Sequence, residues 1–330
     1  MDNKMAVERV TMKTVSGPRT EDLSLYSSDY LEVNPGRVFL PSFYADWHDR
    51  YTNFTVHHDD VWVVTFPKSG TTWTQELVWC LMKDKDSPEA QLELMKRFPF
   101  FEYNCLIPPD LEVSGLTEDD PMRPGLSWKM VQSMAAPRTI KSHLPMQLLP
   151  RQIWDVKPKV VYVCRDPRDV CISYYYHYRK LEGYVGDLQH FIDCFLDEKV
   201  VYSPIWSHIL TFWQLRHQHH VLFIKFEDMK EDLAAVVRQV TEFLGKEVKE
   251  EEVSWLVHHC SFDQMSQNPA ANNETFTPAP TEEAKSIKFM RKGQVGDWKN
   301  YLTEEQQKAF KTWTLKNLEG SDFPYYQDFN

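Results

Sequence analysis

The stretch Thr65-Phe-Pro-Lys-Ser-Gly-Thr-Thr-Trp73 decides the reading of this chain. The residues leading into it, Asp60-Val-Trp-Val-Val-Thr-Phe66, form an apolar, β-branched run of the kind that makes a buried strand. Beyond it Trp73, Leu77, Cys80 and Leu81 recur at helical spacing, which predicts a helix over Thr71 to Lys83. Pro67 to Gly70 makes the turn between them. A helix that opens from such a loop offers free backbone N–H groups and the positive end of its dipole, a natural phosphate site. Gly70 lets the backbone approach closely. Ser69, Thr71 and Thr72 add hydroxyl donors, and Lys68 adds a mobile cation. A Walker loop would carry a second Gly and a lysine after it. Here the lysine precedes a single Gly, which argues against a metal-bound triphosphate.

The same grammar returns downstream. Lys159-Val-Val-Tyr-Val-Cys164 reads as a short buried strand, and Arg168 to Lys180 as a helix with Pro167 near its first turn. Val221 to Lys225 reads as a third strand before a helix over Leu233 to Leu244, ended by Gly245. Thr303 and Gln306 form a capping box for a last helix reaching about Asn317. Strands separated by helices predict an α/β fold, a single domain with a central parallel β-sheet flanked by helices. Residues 1–36 are polar and weakly patterned and read as a variable N-terminal arm, leaving 37–330 as the domain. Pro108 to Pro137 and Asn268 to Pro280 read as long loops of the kind that cover binding sites.

Composition narrows the class of function. A net charge of −11 disfavours a nucleic-acid partner, although a small anion needs only a few concentrated cations. Hydrophobic residues at 42% and aromatics at 14% supply a large core and leave rings for an apolar ligand pocket. Six cysteines without a C-x-x-C pair predict reduced thiols, with neither a disulfide framework nor a zinc site. No apolar run is long enough for a signal peptide or a membrane span, so a cytoplasmic protein with no membrane partner is expected.

Three further segments carry chemistry. Arg165-Asp-Pro-Arg-Asp-Val-Cys-Ile-Ser173 sets an Arg at a strand end and a Ser two helical turns on. Arg291-Lys-Gly-Gln-Val-Gly-Asp-Trp-Lys299 is a basic, glycine-containing turn. In Thr139-Ile-Lys-Ser-His-Leu-Pro145, strand alternation points Lys141 and His143 to one face. Imidazole suits removal of a hydroxyl proton near neutral pH, and a lysine suits neutralising a leaving phosphate oxygen.

With the opening loop, and in this order, these segments resemble those of the cytosolic sulfotransferases, over about Arg37 to Leu318. The resemblance implies an enzyme that moves a sulfonate from the donor PAPS, leaving PAP, onto a hydroxyl of a small lipophilic acceptor such as a phenol or steroid. It implies His143 as general base, Lys68 and Lys141 as charge stabilisers, and Ser69, Gly70, Thr71 and Thr72 around the 5′-phosphate. Arg165, Ser173, Arg291, Lys292 and Gly293 would hold the 3′-phosphate, with Ser173 also at the reacting group. Trp73 and Phe262 would sandwich the adenine, near Phe226, Cys260 and Met290. Phe100, Phe101 and Tyr103, with His143, would face the acceptor, and no metal is implied.

This chain departs from the family pattern in places. Phe226 stands where a Tyr is common and Cys260 where a Thr is common, so two polar contacts near adenine are lost or weakened. The family's dimer motif is degenerate over Lys299 to Lys308, which leaves a homodimer open. The segment between Phe98-Pro-Phe-Phe-Glu102 and Lys141 is long, as in an insect branch that includes a retinol-dehydrating enzyme. Two alternatives therefore stand beside sulfonation: a sulfonation-coupled dehydratase, and a non-catalytic lipophile- or nucleotide-binding protein.

Overall fold

Four parallel strands form the centre of the computed structural model, which describes residues 10–15, 29–111, 117–274 and 282–324. Strands β1 (Thr11–Val15), β2 (Tyr30–Asn34) and β3 (Val38–Pro41) form a separate antiparallel sheet. The central sheet consists of β4 (Val61–Thr65), β5 (Thr139–Ser142), β6 (Lys159–Cys164) and β7 (Val221–Lys225), in the order β5-β4-β6-β7. All pairs are parallel, with Val63 beside Lys141 and Val161, and Val161 beside Leu222.

Every residue of β4 is buried, because helices cover both faces of the sheet. Alternation divides its side chains between two cores. Val61 and Val63 pack with helices Thr71–Met82, Leu233–Leu244 and Glu250–His259. Trp62 and Val64 pack with helices Pro167–His177, Leu188–Leu196, Ile205–Gln214 and Glu304–Leu318. The chain leaves β4 for β5 on one side and returns to β6 on the other. The crevice at such a reversal opens beyond the carboxyl ends of the strands.

The expected strands and the helices after β4 and β7 are present within a residue or two, and the Thr303–Gln306 capping box is formed. The helix after β6 is α-helical only over Pro167–His177 and continues as a wider π-helical turn, Tyr178–Glu182. Residues 29–36 of the expected arm run directly into the sheet that follows. Strand β2 pairs with β3 across the expected boundary at residue 36, and Tyr30, Leu31 and Val33 are buried in the main core. The stretch Pro108 to Pro137 is not all loop: Leu126–Ser133 is helical, held by buried Ser127 and Val131. The second half of the second expected loop, residues 275–280, lies outside the described residues.

Candidate active site

The carboxyl ends of the central strands converge on one cavity of about 260 Å³. After β4 the chain makes its loop with two residues in the left-handed region, Lys68 at φ 66° and Gly70 at φ 106°. A Cβ at Gly70 would fall 2.9 Å from the Phe226 ring, so this position requires glycine on two counts. Helix Thr71–Met82 then begins with no side-chain cap and no acidic residue in its first turn, which leaves its positive end open to an anion. The Thr71 hydroxyl is hydrogen-bonded to that of Thr65 at 2.6 Å. Thr72 and Trp73 line the cavity.

Arg165 leaves the end of β6 and lies over the Phe226 ring, 4.2 Å from its centroid. Its guanidinium donates to the carbonyls of Lys68 (3.2 Å) and Gln294 (2.8 Å), while its buried Nε has no hydrogen-bond partner among the described residues. Arg291 donates to Tyr301 Oη (2.9 Å) and Asp297 (2.6 Å), and Lys292 to Asp297 (2.8 Å). A Cβ at Gly293 would meet the Phe262 ring at 2.3 Å, so this turn packs directly on an aromatic wall.

Lys68 lies over the ring of Phe289 at 4.1 Å, and Lys141 over that of Phe100 at 3.9 Å. Among the described residues neither has a carboxylate within ion-pairing distance. Burial, reinforced by the charges of Lys141, Arg165 and Arg291, pushes the Lys68 amine down to about 7. A cluster of buried cations that repel one another, with an unpaired guanidinium nitrogen among them, is the electrostatic form of an anion site. The residues present fit a doubly phosphorylated donor.

His143 follows β5 and is held on two sides. Its Nδ1 lies 2.8 Å from the carbonyl oxygen of Thr65. A carbonyl only accepts, so in the neutral ring Nδ1 carries the proton and Nε2 is bare. Burial first, and then the charge of Lys141, hold the imidazole well below its usual pKa, hence neutral at pH 7. Its backbone N–H donates at 2.6 Å to Glu102, and His208 bonds to its carbonyl at 3.0 Å.

Glu102 was not singled out from the sequence. It is fully buried and also accepts from Ser142 (2.8 Å) and Tyr202 (3.2 Å). Burial raises its pKa, while the His143 and Ser142 hydrogen bonds and the charge of Lys141 hold it down. Burial lowers Lys141 in turn, and the Glu102 charge opposes that. Tyr202, His177 and Phe289 also line the cavity without having been anticipated. They come from distant segments, and no local pattern marked them.

The cavity wall brings together Lys68, Gly70, Thr71, Thr72, Trp73, Lys141, His143, Arg165, Ser173, Phe226, Cys260, Phe262, Met290, Arg291, Lys292 and Gly293. Phe100 and Tyr103 line it as well, with the Phe100 ring 5.1 Å from that of His143. Two expected residues do not face it. Phe101 points to the opposite side from Phe100 and packs on Tyr51, Phe54, Trp62 and Trp128 in the core. The Ser69 side chain is fully buried in the tight turn, its hydroxyl has no partner among the described residues, and it does not reach the cavity wall.

All six cysteines are free. Two groups of three metal-ligating side chains do come within 4.8 Å of one another, Glu76 with Cys80 and His259, and His57 with Asp59 and Asp60. In each a carboxylate is already held by a buried arginine, Glu76 by Arg97 and Asp60 by Arg138. No helix among the described residues is long and apolar enough to cross a membrane.

Residues 58–322 match the family model for the sulfotransferase domain. The chain is 35% identical over 306 residues to the luciferin sulfotransferase of Photinus pyralis, covering 91% of this chain and 83% of that one. It is 37% identical over 292 residues to sulfotransferase 1A1 of Mus musculus, covering 87% and 94%. Its fold matches the crystal structure of retinol dehydratase in complex with retinol and PAP, with a TM-score of 0.83 and 26% identity over 96% of this chain and 98% of that one.

Proposed function

Because this chain belongs to the sulfotransferase family, a family of PAPS-dependent enzymes, we propose that its cavity transfers sulfonate to a hydroxyl of a small lipophilic acceptor with His143 as the base. One observation carries this reading. The bare Nε2 of a neutral, fixed imidazole shares a cavity with Lys68, Lys141 and Arg165, so a base and a cation cluster meet in one place.

When bound, PAPS supplies the electrophilic sulfur and a phosphate leaving group. The open start of helix Thr71–Met82, with Lys68, takes the 5′-phosphate side. Arg165, Ser173, Arg291, Lys292 and the Gly293 backbone take the 3′-phosphate. Trp73 and Phe262 supply flat faces for the base. Phe100 and Tyr103 exclude water around the acceptor. His143 Nε2 takes the acceptor proton as the new O–S bond forms and the S–O bond to phosphate breaks. Lys68 and Lys141 stabilise the charge that passes to the phosphate oxygen.

The similarity to retinol dehydratase supports a second reading, in which the sulfate ester eliminates and the net product is dehydrated. Product analysis separates the two.

The donor half is tested by PAP binding without divalent metal. Tight binding that ATP does not displace is expected; a requirement for Mg²⁺ would contradict the reading. Gly70→Ala should weaken PAP binding about tenfold or more, because a Cβ there is strained by about 1–2 kcal/mol and also strikes Phe226. Titration calorimetry would check this, and wild-type affinity in the variant would remove the glycine argument.

The depressed Lys68 amine sets the pH dependence. Near pH 7 it is partly neutral in the empty site, and a bound phosphate restores its charge. PAP binding should therefore take up protons and weaken as pH rises above about 7. Calorimetry in buffers of different ionisation enthalpy reads this directly. Proton release on binding would contradict it.

A further inference from the structure

Thr65 is the last residue of β4, and Thr71 opens the helix that follows. The turn between them brings their hydroxyls to 2.6 Å. On its other side the Thr65 hydroxyl lies 3.2 Å from Nδ1 of His143. Thr65 thus joins the base to the start of the helix assigned above to the 5′-phosphate. It is fully buried and is not part of the cavity wall, whereas Thr71 and His143 both are. Of the hydroxyls at Ser69, Thr71 and Thr72, only that of Thr71 is joined to the imidazole in this way. Thr74, one turn on, spends its hydroxyl on the Gly70 carbonyl at 3.1 Å.

The protons along this path run one way. The Thr65 carbonyl accepts from Nδ1 at 2.8 Å, so Nδ1 carries the hydrogen and can only donate toward the Thr65 hydroxyl as well. The Thr65 oxygen accepts on that side and keeps its own hydrogen to give elsewhere. Buried from water, it gives that hydrogen to the Thr71 oxygen. The Thr71 hydrogen is then left for the cavity, where the open helix start favours an anion. Imidazole, Thr65 and Thr71 each donate toward the anion side. Such chains polarise one another, and more so away from water. A proton taken up at Nε2 turns the ring into an imidazolium. That strengthens the Nδ1–H donor and, through Thr65, the Thr71 donor. The gain arises only as the acceptor proton moves, so it serves the transition state and not the ground state.

We propose that Thr65 is a positioning residue that couples the two ends of the reaction. Its hydroxyl carries the polarisation of the protonated His143 ring to Thr71, whose hydrogen bond to a 5′-phosphate oxygen is then strongest as the bond between that phosphate and sulfur breaks. No proton leaves either threonine. This rests on the sulfonate-transfer reading above.

The test uses Thr65→Val, which keeps the branched shape and removes the hydroxyl, and Thr65→Ser, which keeps the hydroxyl. The backbone carbonyl that fixes the imidazole is present in both. Thr65→Val should lower kcat about tenfold, while KM for PAPS and the affinity for PAP stay within about twofold. Thr65→Ser should restore most of kcat. An unchanged kcat in Thr65→Val, or a loss of PAP affinity equal to the loss of kcat, would overturn the link. Proton–nitrogen spectra of isotope-labelled histidine give a readout independent of turnover, with the His143 signal assigned by its absence in His143→Ala. PAP should move the Nδ1–H resonance of His143 in wild type and in Thr65→Ser, and markedly less in Thr65→Val. A shift as large in Thr65→Val as in wild type would overturn the link. A shift that depends on Thr65, with no acceptor sulfonated, supports the link and counts against sulfonate transfer.

Discussion

His143→Ala abolishes measurable turnover and leaves PAP affinity within about twofold. A positioned general base contributes about 10²–10⁴ in rate, and the bare Nε2 of His143 is the group offered here for the acceptor proton. The donor contacts proposed for Lys68, Arg165 and the start of helix Thr71–Met82 remain in place. The imidazole also contacts Phe100 and Tyr202, so a thermal melt must accompany the kinetics. Loss of PAP binding in step with activity would make His143 structural. The wild-type enzyme has its own signature. With the imidazole held well below its usual pKa, activity should persist on the acid side of 6.5, and an inflection at or above 6.5 assigned to this residue would contradict its environment.

Glu102→Ala destabilises the protein by about 3–5 kcal/mol, the range for breaking a buried charged network by removing one partner. The side chain is fully buried, and its loss orphans the His143 N–H and the hydroxyls of Ser142 and Tyr202. It also leaves Lys141 buried without the charge that opposes its neutralisation. Glu102→Gln keeps the shape and one acceptor oxygen, so it should fold with a smaller loss while kcat falls and the affinity for PAP holds. Denaturant unfolding of both variants checks this. A loss under about 1 kcal/mol for Glu102→Ala would mean that water replaces the carboxylate and that His143 is positioned by other contacts.

The parts of this account that were legible in sequence are those in which cause and effect lie close along the chain. The loop Pro67–Gly70 is read correctly because strand, turn and helix signals adjoin one another, and the left-handed φ of Gly70 follows from its place. Lys141 in β5 and His143 just after it both line the cavity, as the alternation of an extended chain leads one to expect. Glu102 was missed for the opposite reason. Its first partner is the backbone of a residue 41 positions away, and an isolated Glu after two Phe carries no local mark. Phe101 was assigned to the wrong side because Phe98 to Glu102 is not a regular strand. Only the bridge between Phe100 and Lys141 settles its parity. Strand β2 carries a weak pattern because it mixes Glu32 and Asn34 with its apolar residues, and burial of Tyr30, Leu31 and Val33 depends on pairing with β3. His177 lay unremarked among four tyrosines, and its place on the cavity wall is a property of packing alone.

The central claim is that this cavity moves sulfonate from PAPS to a hydroxyl, and the most direct measurement is transfer of labelled sulfonate from PAPS, without added metal, across phenols, catechols, sterols and retinoids. The account predicts a labelled sulfate ester of a lipophilic acceptor and stoichiometric PAP. Free labelled sulfate with a dehydrated acceptor would move the conclusion to sulfonation-coupled elimination. No consumption of PAPS with any acceptor, despite tight PAP binding, would contradict the claim that His143 and the surrounding cations form a working transfer site.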